Sequence, residues 1–157
     1  MADVTLRPMT AAEYAAFVAV ELDEYATDIA RSSGMPLDAA RERARKQHEE
    51  LLPHGLATPG HSFSIVLDSA GREVGRLWLG PHPQRPGVGY VYDVGIDEAE
   101  RGKGLGRAAM LAAEQVARAQ GQTEIGLNVF GFNDPARSLY DSLGYRVVAT
   151  QMLKRLD

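Results

Sequence analysis

The run Arg101-Gly102-Lys103-Gly104-Leu105-Gly106-Arg107 constrains this chain more than any other feature. It lies between residues 90–96, an apolar and aromatic stretch that reads as a central strand, and residues 104–120, whose apolar positions recur every three to four residues as in a helix. A strand joined to a helix through so few residues needs a tight turn, and glycine allows the backbone conformations such a turn takes. The first-turn N–H groups of that helix have no partner within it and point outward, beside Arg101, Lys103 and Arg107. That arrangement suits an anion. It is not a Walker A loop, because G-x-x-x-x-G-K-[ST] is absent. Nor is it a dinucleotide fingerprint, since the third glycine read from Gly102 falls on Arg107.

Composition narrows the remaining classes. A chain of 157 residues, 45% apolar and 24% charged, has the size and composition of one globular domain, taken as 1–157. The absence of Cys removes a disulfide framework, Cys-ligated metal and a thiol nucleophile, and fits a cytoplasmic location. The net charge of −4 argues against a broad nucleic-acid face. No signal peptide begins at Met1, and nothing approaches the ~20 apolar residues of a membrane helix. His54 and His61 lack an evident third ligand, so no metal is expected. His48-Glu49-Glu50-Leu51-Leu52 has Leu where a zinc protease needs its second His. No G-x-S-x-G elbow is present. The mixed-sign run of residues 41–46 reads as a solvated helix face, and Trp78 reads as core.

Along the chain, residues 3–9 read as a strand, and Thr10 with Glu13 has the spacing of a capping box. The helix opened there runs to Gly34, and a second runs over residues 37–52. Residues 61–68 and 73–80 read as a hairpin. The glycine-turn helix carries Leu105, Ala109, Ala112, Val116 and Ala119 on one stripe and stops at Gly121. Residues 124–130 read as a strand, Asp134 as the cap of a short helix ending at Gly144, and residues 145–156 as a last strand. The order β-α-α-β-β-β-α-β-α-β predicts an α/β (α+β) chain: a mixed, mostly antiparallel sheet flanked by helices.

A second constellation opens the short helix. Asn133 and Tyr140 are seven residues apart, two helical turns, and so share one side. Taken together, the two segments resemble the GNAT family, the Gcn5-related N-acetyltransferases. Arg101, Gly104 and Gly106 match its [RQ]-x-x-G-x-[GA] acetyl-CoA signature. Asn133, Ala136, Leu139-Tyr140 and Gly144-Tyr145 match its later motif. The resemblance spans the chain and is most specific in the last 70 residues or so.

The resemblance implies acetyl-CoA as co-substrate and a primary amine as acceptor, acetylated by direct attack. Val94, Gly95 and Ile96 would meet the pantetheine arm, with Gly95 in a bulge that frees those backbone groups. The N–H groups of Lys103, Gly104, Leu105, Gly106 and Arg107 would hold the pyrophosphate, Asn133 would bind along the pantetheine, and Arg101, Gly102 and Arg137 would also bind the cofactor. Tyr140 would approach the thioester sulfur as hydrogen-bond donor or general acid. The base is open. Positions where relatives carry Glu hold Tyr90, Tyr92 and Asn128, the last acting through water. Asp93 should face away from Tyr92 and Val94 by alternation. Glu21 and Glu24 read as a solvated face that could line an acceptor pocket. The alternatives are transfer of a longer acyl group, and a non-catalytic acyl-CoA-binding module. No membrane or nucleic-acid partner is expected, and a homodimer is compatible with the sequence.

Overall fold

The computed structural model of the protein describes residues 2–157. Five strands form one sheet in the order β1-β2-β3-β4-β5: β1 Val4–Pro8, β2 Ser62–Asp68, β3 Glu73–Pro81, β4 Val88–Ile96 and β5 Glu124–Leu127. The first three pairings are antiparallel and β4–β5 is parallel. The helices are α1 Ala11–Ser33, α2 Leu37–Leu51, α3 Leu105–Ala119 and α4 Asp134–Ser142. Parallel neighbours need a crossover, and α3 supplies it between β4 and β5. This is the mixed, mostly antiparallel sheet with helices that the element order predicts.

The chain divides into two compact units. One runs to Phe17 and resumes over Leu52–Asn128; the other is Val18–Leu51 with Val129–Asp157. In the first, α3 buries Leu105, Ala109, Met110, Ala113 and Ala117, and Val66, Val74 and Leu77 are among its fully buried side chains. This stripe differs from the predicted one: Ala112 and Val116 are half-buried and Ala119 is exposed. Met110 belongs to the buried face because i, i+4, i+5 and i+8 lie within one wide arc of a helix. The other unit has its own core, in which Ala26 and Ile29 of α1 meet Ala40 and Ala44 of α2. Alanine at these positions lets the two helix backbones approach closely.

The start of α1 is built as its spacing predicts. Glu13 N–H donates to Thr10 Oγ1 at 3.2 Å, and Thr10 N–H donates to Glu13 Oε1 at 2.9 Å. Arg7 of β1 also grips Glu13, at 2.8 and 3.0 Å. The Arg7 hydrogen bonds, aided by Thr10, hold the Glu13 carboxyl down at about 2. A carboxyl depressed in the folded state stabilises it above the ordinary value of 4.5, and that gain is lost as pH falls toward 2. Glu13→Gln should therefore unfold with a shallower loss of stability between pH 5 and pH 3, read from urea midpoints. An unchanged slope would show that other carboxylates set the acid limit.

Three predicted boundaries move. The strand after β4 ends at Leu127, not residue 130. Asn133, not Asp134, caps α4: its Oδ1 accepts the Ala136 N–H at 3.3 Å, with Pro in the first turn. Residues 145–156 form no strand. Their β-favouring composition yields a strand only where a partner edge lies beside it, because strand preference depends on cross-strand packing.

Candidate active site

An extra residue in β4 shapes the site. Leu79 of β3 pairs with Val91, but Trp78 pairs with Asp93, so Tyr92 is a bulge with no opposite residue on β3. Gly95 pairs regularly with Arg76, which corrects the expectation of a bulge at Gly95. The bulge also corrects the expected orientation of Asp93. Tyr92 stacks on Trp78, with ring centres 4.7 Å apart and planes 19° from parallel. Asp93 Oδ2 accepts from Arg76 Nε at 2.8 Å, and Arg76 and Trp78 share a face of β3. Tyr92 and Asp93 therefore lie on one face, with Val94 on the other. The spacing of the aliphatic residues carried the signal. Val91, Val94 and Ile96 are three and then two apart, and that break in a two-residue period marks one inserted residue.

The same bulge ends the pairing on the opposite edge of β4. β5 matches β4 from Val88↔Glu124 to Val91↔Leu127 and stops, while β4 continues along β3 to Ile96. A bulge bends and twists its strand, so a parallel neighbour cannot follow it. On its β5 side, β4 thus has no strand partner from Tyr92 onward among the described residues. The sheet splays at Val94, Gly95 and Ile96, the positions expected to receive a pantetheine arm.

The glycine turn follows directly. Gly104, at φ +80°, caps α3 in the left-handed conformation with no side-chain hydrogen bond. Only Ala2 Cβ, at 3.7 Å, lies near the position of a Cβ there, so conformation rather than crowding calls for glycine. The helical ladder begins with Ala108 N–H to Gly104 O at 3.1 Å, which places Leu105, Gly106 and Arg107 in the first turn ahead of it. Arg101 Nε donates to Ile96 O at 3.0 Å and ties the turn to the strand end. Lys103 pairs with Glu100 at 2.8 Å on the surface. A backbone edge open for hydrogen bonds, leading into a left-handed glycine and the positive end of a helix, fits a pantetheine chain joined to a pyrophosphate.

The aromatic face of this unit narrows the search for a base. Phe63, Trp78 and Tyr92 stack in series, with Trp78 only 2% exposed and therefore core. Burial, and then the neighbouring Tyr90, push the Tyr92 hydroxyl up to about 12. It donates to Pro81 O at 2.6 Å, so Tyr92 is no base near neutral pH. His61 Nδ1 accepts the Trp78 indole N–H at 3.0 Å, and His82 Nδ1 accepts the Gln84 N–H at 3.1 Å. In the neutral form each ring then carries its proton on Nε2 and offers no spare lone pair. Burial pushes the His61 imidazole down and favours that neutral form. Asp93, held by Arg76, is the carboxylate that this face presents on β4. Asn128 is exposed just past β5.

In the second unit, Asn133, Arg137 and Tyr140 recur at i, i+4 and i+7 along α4. The loop before it is braced: Phe130 and Phe132 stack 5.6 Å apart, and Arg31 lies 3.8 Å over the Phe132 ring. Tyr140 is half-buried, with its ring centre 5.8 Å from that of Tyr145. Glu24 is exposed as expected, but Glu21 is buried at 9% exposure, not part of a solvated face. Its charge helps to push the Tyr25 hydroxyl up, after burial itself. Among the described residues no group of three or more His, Cys, Asp or Glu is placed to hold a metal ion, and no helix is long and apolar enough to cross a membrane.

Comparison with known proteins agrees with this architecture. Residues 21–145 match the acetyltransferase (GNAT) family. The uncharacterized N-acetyltransferase YycN of Bacillus subtilis (strain 168) is 30% identical over 154 residues, covering 98% of this chain and 99% of its own. The crystal structure of YycN superimposes with a TM-score of 0.90 over 98% of each chain. A mycothiol acetyltransferase of Saccharomonospora viridis is 38% identical over 96 residues, 57% of this chain but only 31% of that protein. The match covers the strand, the glycine turn and the later Asn-to-Tyr segment together, and one relative retains the fold from end to end. The chain therefore belongs to the GNAT family of acetyltransferases, enzymes that use acetyl-CoA.

Proposed function

We propose that residues 1–157 act as one acetyltransferase domain in the cytoplasm, moving the acetyl group of acetyl-CoA to a primary amine by direct attack. The observation that carries this reading is the parting of β4 and β5 after Val91 and Leu127, beside the left-handed cap of α3. Acetyl-CoA supplies the activated acyl group. Val94 and the Ile96 N–H lend backbone groups to the pantetheine arm beside Gly95, whose own backbone pairs with Arg76, and Gly102 through Arg107 cradle the pyrophosphate, with Arg101 bracing the turn through Ile96 O. Asn133 and Arg137 complete cofactor binding.

A primary alkylamine is mostly protonated at pH 7 and must lose a proton before it attacks. Tyr92, His61 and His82 are poorly suited to take it. Asp93 or a water chain past Asn128 is the better route, and Glu21 is a candidate on α1. The backbone N–H near Val94 meets the charge that develops on the acetyl oxygen. Tyr140 steadies the departing thiolate. A phenol near pKa 10 is a weaker acid than a thiol near 8.5, so Tyr140 acts first by donating a hydrogen bond.

The test is thiol release from acetyl-CoA with a panel of amines, amino acids, aminoglycosides and peptides. Acceptor-dependent release is the expected result. Tight binding of acetyl-CoA with no release on any acceptor would instead make the chain an acyl-CoA-binding module.

A further inference from the structure

Two histidines on the aromatic face are built alike. His61 Nδ1 accepts the Trp78 indole N–H at 3.0 Å, and His82 Nδ1 accepts the Gln84 backbone N–H at 3.1 Å. An indole N–H and a peptide N–H can only donate, so each neutral imidazole carries its proton on Nε2. Each ring also rests over a glycine and against a tyrosine of β4. A Cβ at Gly80 would overlap His61 Nδ1, and one at Gly126 would lie 3.4 Å from His82 Cδ2. The His61 and Tyr92 ring centres are 5.3 Å apart, and those of His82 and Tyr90 are 5.0 Å apart. Gly80, Tyr90 and Gly126 pair in one row across β3, β4 and β5, so both imidazoles lie on the same face of the sheet.

This bonding removes two roles and leaves one. A metal ion needs a lone pair on the nitrogen that binds it, and Nε2 has none while it holds a proton. A general base needs the same lone pair. Donation remains. Among the described residues no side chain or carbonyl of the chain takes either Nε2–H, and neither nitrogen is a buried orphan. Each half-buried ring therefore turns a fixed N–H outward. Burial pushes the His61 imidazole down and keeps that ring neutral. A donor with no lone pair to offer matches an oxygen that only accepts, and a carboxylate adds charge to the bond. A hydroxyl brings a proton that finds no partner on these rings. Asp93 shares this face, so an amine that gives its proton there approaches past the two imidazoles.

We propose that His61 and His82 determine acceptor specificity. Their Nε2–H groups hold acceptor-only oxygens of the amine substrate, the carboxylate of an amino acid or the amide carbonyl of a peptide. The place of the acceptor rests on the acetyl-transfer reading, whereas the two tautomers do not.

Turnover gives one test. Acceptors are compared in matched sets: an amino acid, its dipeptide and the decarboxylated amine. kcat/KM should be roughly tenfold or more lower for the decarboxylated amine, mainly through KM. The better of the other two identifies the oxygen as carboxylate or amide carbonyl. His61→Leu/His82→Leu should shrink that ratio to about threefold or less. His61→Gln/His82→Gln should restore part of it, because an amide can accept the same N–H and donate outward. Equal kcat/KM across the sets, with thiol release intact, would overturn the proposal and leave acetyl transfer standing. Nitrogen NMR of the parent with isotope-labelled histidine, assigned from the single Gln variants, needs no turnover. Both residues should carry the proton on Nε2, and both signals should move with the amino acid or dipeptide but not with the decarboxylated amine. A neutral ring protonated on Nδ1, or signals indifferent to every oxygen-bearing acceptor, would overturn the proposal. If no acceptor supports release, the acetyl-transfer reading falls and the movement of these signals alone decides the donors.

Discussion

Replacing Tyr140 by Phe should lower turnover by roughly 10- to 150-fold, the value of a hydrogen bond of about 1.5–3 kcal/mol to a charged group. The dissociation constant for acetyl-CoA should hardly move, because a neutral thioester sulfur is a poor acceptor and the charge develops only as the thiolate leaves. The ring of Tyr140 packs near that of Tyr145, and Phe keeps that contact. Steady-state kinetics with a good acceptor, alongside calorimetric binding of acetyl-CoA, separates the two effects. Unchanged turnover would remove Tyr140 from the reaction. A parallel loss of binding would assign it to the cofactor instead.

The second large effect belongs to backbone. Gly104→Ala forces a Cβ into φ +80°, at a cost of about 1–2 kcal/mol. Gly121, just past the end of α3, has φ +78° with nothing within 4 Å of the position of a Cβ. Gly121→Ala should therefore cost a similar amount of stability and serves as the control. Only Gly104 sets the direction of the first-turn N–H groups. Its alanine variant should bind acetyl-CoA at least tenfold more weakly, while the Gly121 variant binds as the parent does. Equal affinity in the two variants would show that the phosphates do not rest on this turn.

Much of the fold was legible because it is local. Thr10 and Glu13 form their reciprocal cap from residues three apart, and Gly104 and Gly121 adopt the left-handed conformations expected at the two ends of α3. The helix that joins the parallel strands follows from element order. Three of the misreadings share one cause. The buried stripe of α3, the end of β5 and the state of residues 145–156 all depend on what lies opposite, and that partner is distant in sequence. Asn133 is a different case. Asp134 reads as the cap, but the cap is the residue whose side chain reaches an unpaired first-turn N–H, and the Oδ1 of Asn133 reaches that of Ala136.

The sequence alone determined the turn, the helix caps, the mixed character of the sheet and the segments whose motifs mark the family. These rest on backbone preferences and hydrogen bonds within a few residues of one another. Only the tertiary structure decided that β4 takes its extra residue at Tyr92. That choice turned Asp93 onto the aromatic face, engaged it with Arg76 and left the strand edge open beyond Val91. The physical reason is register. It is settled by β3 and β4 packing their side chains against each other, and a one-residue shift between them moves every later side chain to the other face.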